Sequence, residues 1–181
     1  MRIIKSMEEK YLVPALELVE GVFTASESAE DGALVRALVE EIRSKRFYLR
    51  SLELIMVDED DAVIGYAMFS RFHLEGKFEN ELLLLNPVAV KTERQRQHIS
   101  KELIEYGLEK AAAMGYKAVI VEGNPMNYRS RGFVTSAPFG ITAHASVGLP
   151  APECMVVKEL VPGGLDGIHG EMSYSDYEVL S

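Results

Sequence analysis

Leu82-Leu83-Leu84-Leu85 restricts this chain more than any other stretch. Successive side chains of a strand point to opposite faces, so an unbroken apolar run must be covered on both sides. The fold therefore needs a layer above and a layer below a central strand, read here as Glu81 to Val90. Pro87 interrupts that strand. A proline cannot donate to a sheet ladder, so the sheet is expected to open or bulge near Asn86 to Val88. A polar loop, Lys91 to His98, follows, and then a helix carrying Leu103, Ile104, Leu108, Ala111 and Ala112, which Gly115 stops.

The covering layers are legible upstream. After a short strand at Arg2 to Lys5, Ser6 and Glu9 form the pattern of a capping box, and Leu12, Ala15, Leu16, Val19, Val22 and Phe23 recur at helical spacing. A second amphipathic helix carries Leu34, Val35, Leu38, Val39 and Ile42. Both stripes read as core. The period then changes to that of strands: Leu52 to Val57, a turn at Asp58 to Asp61 read as solvated, and a return over Ala62 to Phe72 make a hairpin. Downstream, Lys117 to Val121 is a short buried strand, Gly123-Asn124-Pro125 leads into a brief helix, and Val134 to Glu153 is loop-rich. Cys154 to Leu160 is the last clear strand, and Glu171 to Leu180 could add one more. The expected class is α/β (more strictly α+β), a mixed, mostly antiparallel sheet flanked by helices. One domain over 1–181 is expected, with a C-terminal extension over about 161–181.

Composition removes several functions. The formal net charge of −9 argues against nucleic acid as a main ligand, since phosphate binding needs clustered Lys and Arg. It favours cationic or neutral substrates through the field of the whole protein. No apolar run is long enough to cross a membrane, and Met1 to Lys10 lacks the apolar stretch of a signal peptide. The single cysteine, Cys154, excludes an internal disulfide and reads as a buried strand residue, which fits a reducing, cytoplasmic setting. His73, His98, His144 and His169 show no metal-ligand spacing, so no metal is expected. No nucleophile elbow or Walker loop is present.

Chemistry is concentrated in the strand–loop–helix unit. A helix opening directly after a buried strand presents unpaired N–H groups and a positive dipole end, a ready site for a pyrophosphate. Lys91, Arg94, Arg96 and Lys101 add positive charge around it; the plain alternative is a solvated loop. The stretch Gln95-Arg96-Gln97-His98-Ile99-Ser100, preceded by Val88-Ala89-Val90 and followed by Leu103-Ile104, resembles the acetyl-CoA signature Gln/Arg-x-x-Gly-x-Gly/Ala of the GNAT superfamily of N-acetyltransferases. Tyr128 stands four residues before Gly132-Phe133, as a family tyrosine does. The run Gly123-Asn124-Pro125-Met126-Asn127-Tyr128 is similar to that of a small bacterial subgroup of predicted acetyltransferases. The likeness covers about Arg2 to Leu160. It departs from the family where His98 and Ser100 replace small residues, because glycine there allows close approach of phosphate to the main chain.

The resemblance implies acetyl-CoA as co-substrate and direct acetyl transfer to a primary amine, either a small molecule or a peptide, with a homodimer allowed for. It implies that Val88, Ala89, Val90, Gln95, Arg96, Gln97, His98, Ile99, Ser100 and Asn124 bind the cofactor. The pantetheine arm would bond to the backbone of Val88 and Val90, and the N–H of Val88 or Ala89 would polarise the thioester. Tyr128 would be the general acid; its alternative role is packing beside Phe133. The strand glutamate of some members falls at Leu84 here, which leaves Glu81 and Glu122 as candidate bases. A catalytically inactive acyl-CoA-binding protein with a degenerate phosphate loop is the rival reading. An enzyme for longer acyl groups, with Met68, Met126 and Met155 lining a wider slot, is a third.

Overall fold

The leucine run lies in the longest strand of a seven-stranded sheet in the computed structural model, which describes residues 1–181. Strand β1 (Ile3–Ser6) is followed by helices α1 (Leu12–Ser26) and α2 (Ala29–Arg43). Strands β2 (Glu53–Val57), β3 (Val63–Leu74) and β4 (Lys77–Val90) form an antiparallel meander, and α3 (Ile99–Ala113) crosses over to β5 (Ala118–Glu122). Then come α4 (Pro125–Arg129), β6 (Val134–Thr135), β7 (Ile141–Ala143), β8 (Met155–Glu159) and β9 (Gly170–Met172). The sheet order is β1-β2-β3-β4-β5-β8-β6, while β7 and β9 pair separately. Only β4 and β5 run parallel within the large sheet, as a strand–helix–strand crossover requires. The mixed, mostly antiparallel sheet flanked by helices is the expected class.

Both faces are covered. Leu83 and Leu85 pack under α3 with Leu103, Ile104, Val119 and Val121. Leu82 and Leu84 face the other way, into a cluster shared with the short β7–β9 sheet. Further along that second face, α1 and α2 cover Ile55, Tyr66, Met68 and Ala89. Close contact of α3 with the sheet depends on two glycines. A Cβ at Gly65 would lie 2.7 Å from Ile99 Cγ2, and one at Gly107 2.1 Å from Phe69 Cε1, well inside van der Waals contact.

Pro87 has the predicted consequence. Ala67 pairs with Val88 but Phe69 with Leu85, so β4 carries one extra residue there, a bulge at Asn86–Pro87. On the other edge, the parallel pairing with β5 ends at Leu84–Ile120. Beyond that point β5 stays with β8, and β4 runs on without a neighbour. The sheet parts there.

Several local expectations are corrected. Ser6 caps no helix: it belongs to β1, its hydroxyl donates to Ser51 O and accepts from Lys110 Nζ, and α1 opens after a 3-10 turn without a side-chain cap. A side-chain cap does form at α2, where Ser28 Oγ accepts the Asp31 N–H. The acidic turn is exposed at Glu59, Asp60 and Asp61, as expected, and two of its carboxylates also find partners. Asp58 accepts the N–H groups of Asp60 and Ala62 and pairs with Arg94 at 3.3 Å, while Asp61 takes Tyr11 and Lys10. Cys154 lies half-buried in a 3-10 turn just before β8, not within the strand. Residues 161–181 lie against the sheet face opposite α3 and bury Leu165, Ile168, Met172 and Tyr177.

Candidate active site

The gap beside β4 opens into two adjoining cavities. The larger, about 520 Å³, is lined by Val88, Ala89 and Val90, by Gln95, Arg96, His98, Ile99 and Ser100 of the loop and α3, and by the end of α1 at Val22, Phe23 and Ser26. The smaller, about 290 Å³, runs between α3 and α4 to Tyr128. Val88, Ser100 and Arg131 line both, so the cavities form one groove. Volumes of this order suit a small-molecule ligand.

Backbone polarity along the groove follows from one hydrogen bond. The Lys91 N–H donates to Ile64 O on the β3 side. Alternation then turns Ala89 toward β3 as well, and points the N–H and C=O of Val88 and Val90 into the gap. The unpaired edge therefore offers Val88, and not Ala89, as the amide facing a ligand.

The loop keeps a glycine-like shape without glycine. Arg96 and His98 both adopt the left-handed region, at φ 65 and 64. That conformation costs an L-residue roughly 1–2 kcal/mol. His98 occupies the N-cap of α3 and its side chain makes no capping bond, so the first-turn amides of α3 remain free for an anion. The imidazole is exposed. The phosphate-loop backbone thus survives the substitution, with the added side chain exposed at the cavity that His98 lines.

Not every positive group is available. Arg94 is held by Asp58, and Lys91 and Lys101 line neither cavity, which leaves Arg96. The residue that sequence reasoning missed is Arg131. Its Nη2 lies 3.4 Å from Ser100 Oγ, its Nη1 donates to Asn127 O, and its Nε is buried without a partner. An arginine beside Gly132 carries no motif, so only the fold shows that it faces the start of α3.

Tyr128 projects from α4, whose geometry is set locally. Asn124 caps this helix by accepting the Met126 N–H at 2.9 Å, and Pro125 supplies a preset first turn. Asn124, expected as a cofactor contact, is thus a helix cap and lines neither cavity. The Tyr128 ring meets Phe133 edge-on at 5.5 Å. A Cβ at Gly123 would come within 2.9 Å of the same ring, so glycine makes its room. Burial raises the Tyr128 pKa, opposed by the nearby Arg131 charge, and the phenol stays protonated at neutral pH.

Other expected contacts lie elsewhere. Gln97 is exposed and lends its carbonyl to Arg2 Nη2 at 2.7 Å. Glu81 sits at the opening of the parallel β4–β5 pair, beside Lys117 at 3.7 Å, roughly 20 Å along the strand from Val88. That is the wrong end of the strand for a base. Glu122 ends β5 at the correct end, yet lines neither cavity. Met68 is core under α1 and α2, Met126 projects into solvent, and Met155 lies on the sheet face away from α3, so they form no common slot. No three His, Cys, Asp or Glu side chains gather where they could hold a metal ion.

A sequence profile described as the acetyltransferase (GNAT) family matches residues 18–137. An uncharacterized N-acetyltransferase of Escherichia coli, YhbS, is 28% identical over 141 residues, covering 77% of this chain and 80% of that one. The crystal structure of E. coli YhbS in complex with CoA superposes with TM-score 0.82 at 24% identity, over 95% of this chain and 89% of that chain. A GNAT family acetyltransferase from Brucella melitensis, solved with acetyl-CoA, gives 0.70 at 22% identity, over 100% and 99%. At these identities the structural likeness speaks for the fold.

Proposed function

This chain belongs to the acetyltransferase (GNAT) family, and on that premise we propose that it transfers an acetyl group from acetyl-CoA directly to a primary amine. The observation that carries the proposal is the continuous groove from the free amides of α3, past the unpaired edge of β4, to the protonated Tyr128. The free amides at His98 to Ser100, with Arg96 and Arg131, hold a pyrophosphate. Val88 and Val90 give the pantetheine arm a strand edge to bond, and the Val88 N–H faces the thioester oxygen where charge develops. Tyr128 supplies the proton that the departing sulfur requires. Acetyl-CoA brings the activated acyl group; the protein contributes position, polarity and that proton. The E. coli and B. melitensis complexes with CoA and acetyl-CoA support this ligand. No helix is long and apolar enough to cross a membrane, and the lone cysteine supports a reducing, cytoplasmic setting.

Acetyl-CoA at about 100 times its dissociation constant should stabilise the native state by roughly 2.7 kcal/mol. A thermal melt unmoved by millimolar acetyl-CoA would reject this ligand altogether. A shifted melt with no thiol release in the presence of any amine would favour a binding protein without catalysis.

His98→Gly should tighten acetyl-CoA binding by roughly tenfold. Glycine adopts φ 64 without steric penalty and removes a side chain from the pyrophosphate approach. One recovered hydrogen bond to a charged group is worth about 1.5–3 kcal/mol, less roughly 0.5–1 kcal/mol for glycine's flexibility. Calorimetric titration of both proteins measures the difference. Weaker binding in the variant would make the imidazole itself a phosphate donor.

A further inference from the structure

The free amides at the start of α3 depend on one peptide plane, between Gln97 and His98. A planar, trans peptide points its C=O and its N–H in opposite directions. Here the carbonyl is turned outward: Gln97 O accepts from Arg2 Nη2 at 2.7 Å. The groove is lined by Gln95, Arg96, His98, Ile99 and Ser100 but not by Gln97. The His98 N–H of the same plane therefore points away from Arg2, and this orientation goes with φ 64 at His98. Turning the plane over would bring φ back to negative values, as between the two common β-turns, and relieve the left-handed penalty. It would also present the Gln97 carbonyl, an acceptor, where a pyrophosphate needs a donor.

Two neighbours hold the loop from the edge of the sheet. The β1–β2 ladder ends at the pair Ile3–Val57, so Arg2 and Asp58 leave the sheet side by side. Asp58 Oδ1 takes the N–H groups of Asp60 and Ala62, and its Oδ2 pairs with Arg94, which secures the loop's start. Arg2 secures its end. The same Nη2 that holds Gln97 O lies 3.0 Å from Glu102 Oε1 in the first turn of α3, so the carbonyl is tied to the helix it precedes. The Arg2 side chain is 27% exposed, so water competes for these bonds only in part.

We propose that Arg2 is a positioning residue for the pyrophosphate. It holds the Gln97–His98 peptide in the orientation that leaves donors for the anion, against the preference of a non-glycine residue at position 98. The loop thus keeps its glycine-like shape through a tie from a residue 95 positions away in the chain. This rests on the acetyl-transfer reading above and adds to it a residue that lines neither cavity of the groove.

Once the tie is gone, the left-handed penalty corresponds to roughly a tenfold preference for the turned plane. Apparent affinity falls with the competent fraction, so Arg2→Ala should raise the acetyl-CoA dissociation constant by about tenfold. His98→Gly accepts positive φ freely, and in that background Arg2→Ala should cost about twofold or less. Calorimetric titration of acetyl-CoA into the unmodified protein, both single variants and the double variant completes the cycle. The ligand-free melt of Arg2→Ala should change little, because the ion pair it loses is partly exposed. Arg2→Lys keeps its donors on one nitrogen, as Nη2 does, and should recover most of the lost affinity. An equal tenfold loss in both backgrounds would make Arg2 a bare charge acting on the anion, and overturns the tie. Undiminished affinity in Arg2→Ala overturns it as well, and so does a folded Arg2→Lys protein that recovers nothing. Failure of the unmodified protein to bind acetyl-CoA would overturn the acetyl-transfer reading itself, which the other outcomes leave standing.

Discussion

Glu53→Ala is expected to destabilise the fold by about 3–5 kcal/mol, the range for breaking a buried ion pair by removing one partner. Glu53 opens β2 and is fully buried on the face covered by α1 and α2. Arg43, in the last turn of α2, donates to it through Nε at 2.8 Å, and Nη2 lies 2.7 Å from the same oxygen without hydrogen-bond geometry. Tyr66 donates to it at 2.6 Å and Tyr48 also donates. Arg43 Nη1 in turn holds Leu12 O at the start of α1. One carboxylate thus joins two helices, a connecting loop and two strands. Burial, reinforced by the carboxylate, pushes both tyrosine pKa values up, so neither can ionise to compensate its loss. The alanine variant leaves a guanidinium and two hydroxyls without their acceptor. Urea unfolding should show the midpoint falling sharply, with a loss in melting temperature of roughly 10 °C. Glu53→Gln retains an acceptor and should lose less. An alanine variant within 1 kcal/mol of the parent would show that water replaces the carboxylate freely.

What the sequence revealed depended on period and on punctuation. Four consecutive leucines forced two covered faces, and Pro87 located the bulge, because both act through the backbone of a single strand. The strands β6, β7 and β9 span two or three residues, too few for any period to register. Ser6 shows how a pattern misleads. Its spacing to Glu9 is that of a capping box, but Ser51 and Lys110, distant in sequence, claim its hydroxyl.

The site divided in the same way. The loop Gln95 to Ser100 could be located by its place after a buried strand, yet the left-handed backbone of His98 is conformational and leaves no trace in composition. Glu81 and Glu122 look equivalent as charged residues at strand ends. Only the parallel pairing of β4 with β5 shows that one lies at the starting end and the other at the end where the sheet parts. Asn124 stands before Pro125 in the run that resembles a bacterial subgroup, and that position suits a helix cap. Arg131 needed the three-dimensional return of the chain to the start of α3.

Tyr128→Phe is expected to lower kcat by about 100-fold while acetyl-CoA affinity stays within about twofold. The phenylalanine keeps the ring that packs edge-on against Phe133 and fills the space beside Gly123, so the fold and the groove should persist. Burial and Arg131 are the two influences on the hydroxyl's pKa, with no hydrogen bond to it among them, so its removal should leave no group unsatisfied. The size of the effect is bounded by chemistry. A thiol of pKa about 8.5 is already a fair leaving group as thiolate, so a proton donor adds hundreds rather than millions to the rate. Arg131 matters in the same step, because its positive charge moderates the rise in the Tyr128 pKa that burial causes and keeps the proton transferable. Single-turnover thiol release gives the chemical step, and calorimetry gives acetyl-CoA affinity. Equal loss in both would make the hydroxyl a pantetheine contact. Undiminished turnover would remove Tyr128 from the mechanism and leave solvent as the acid.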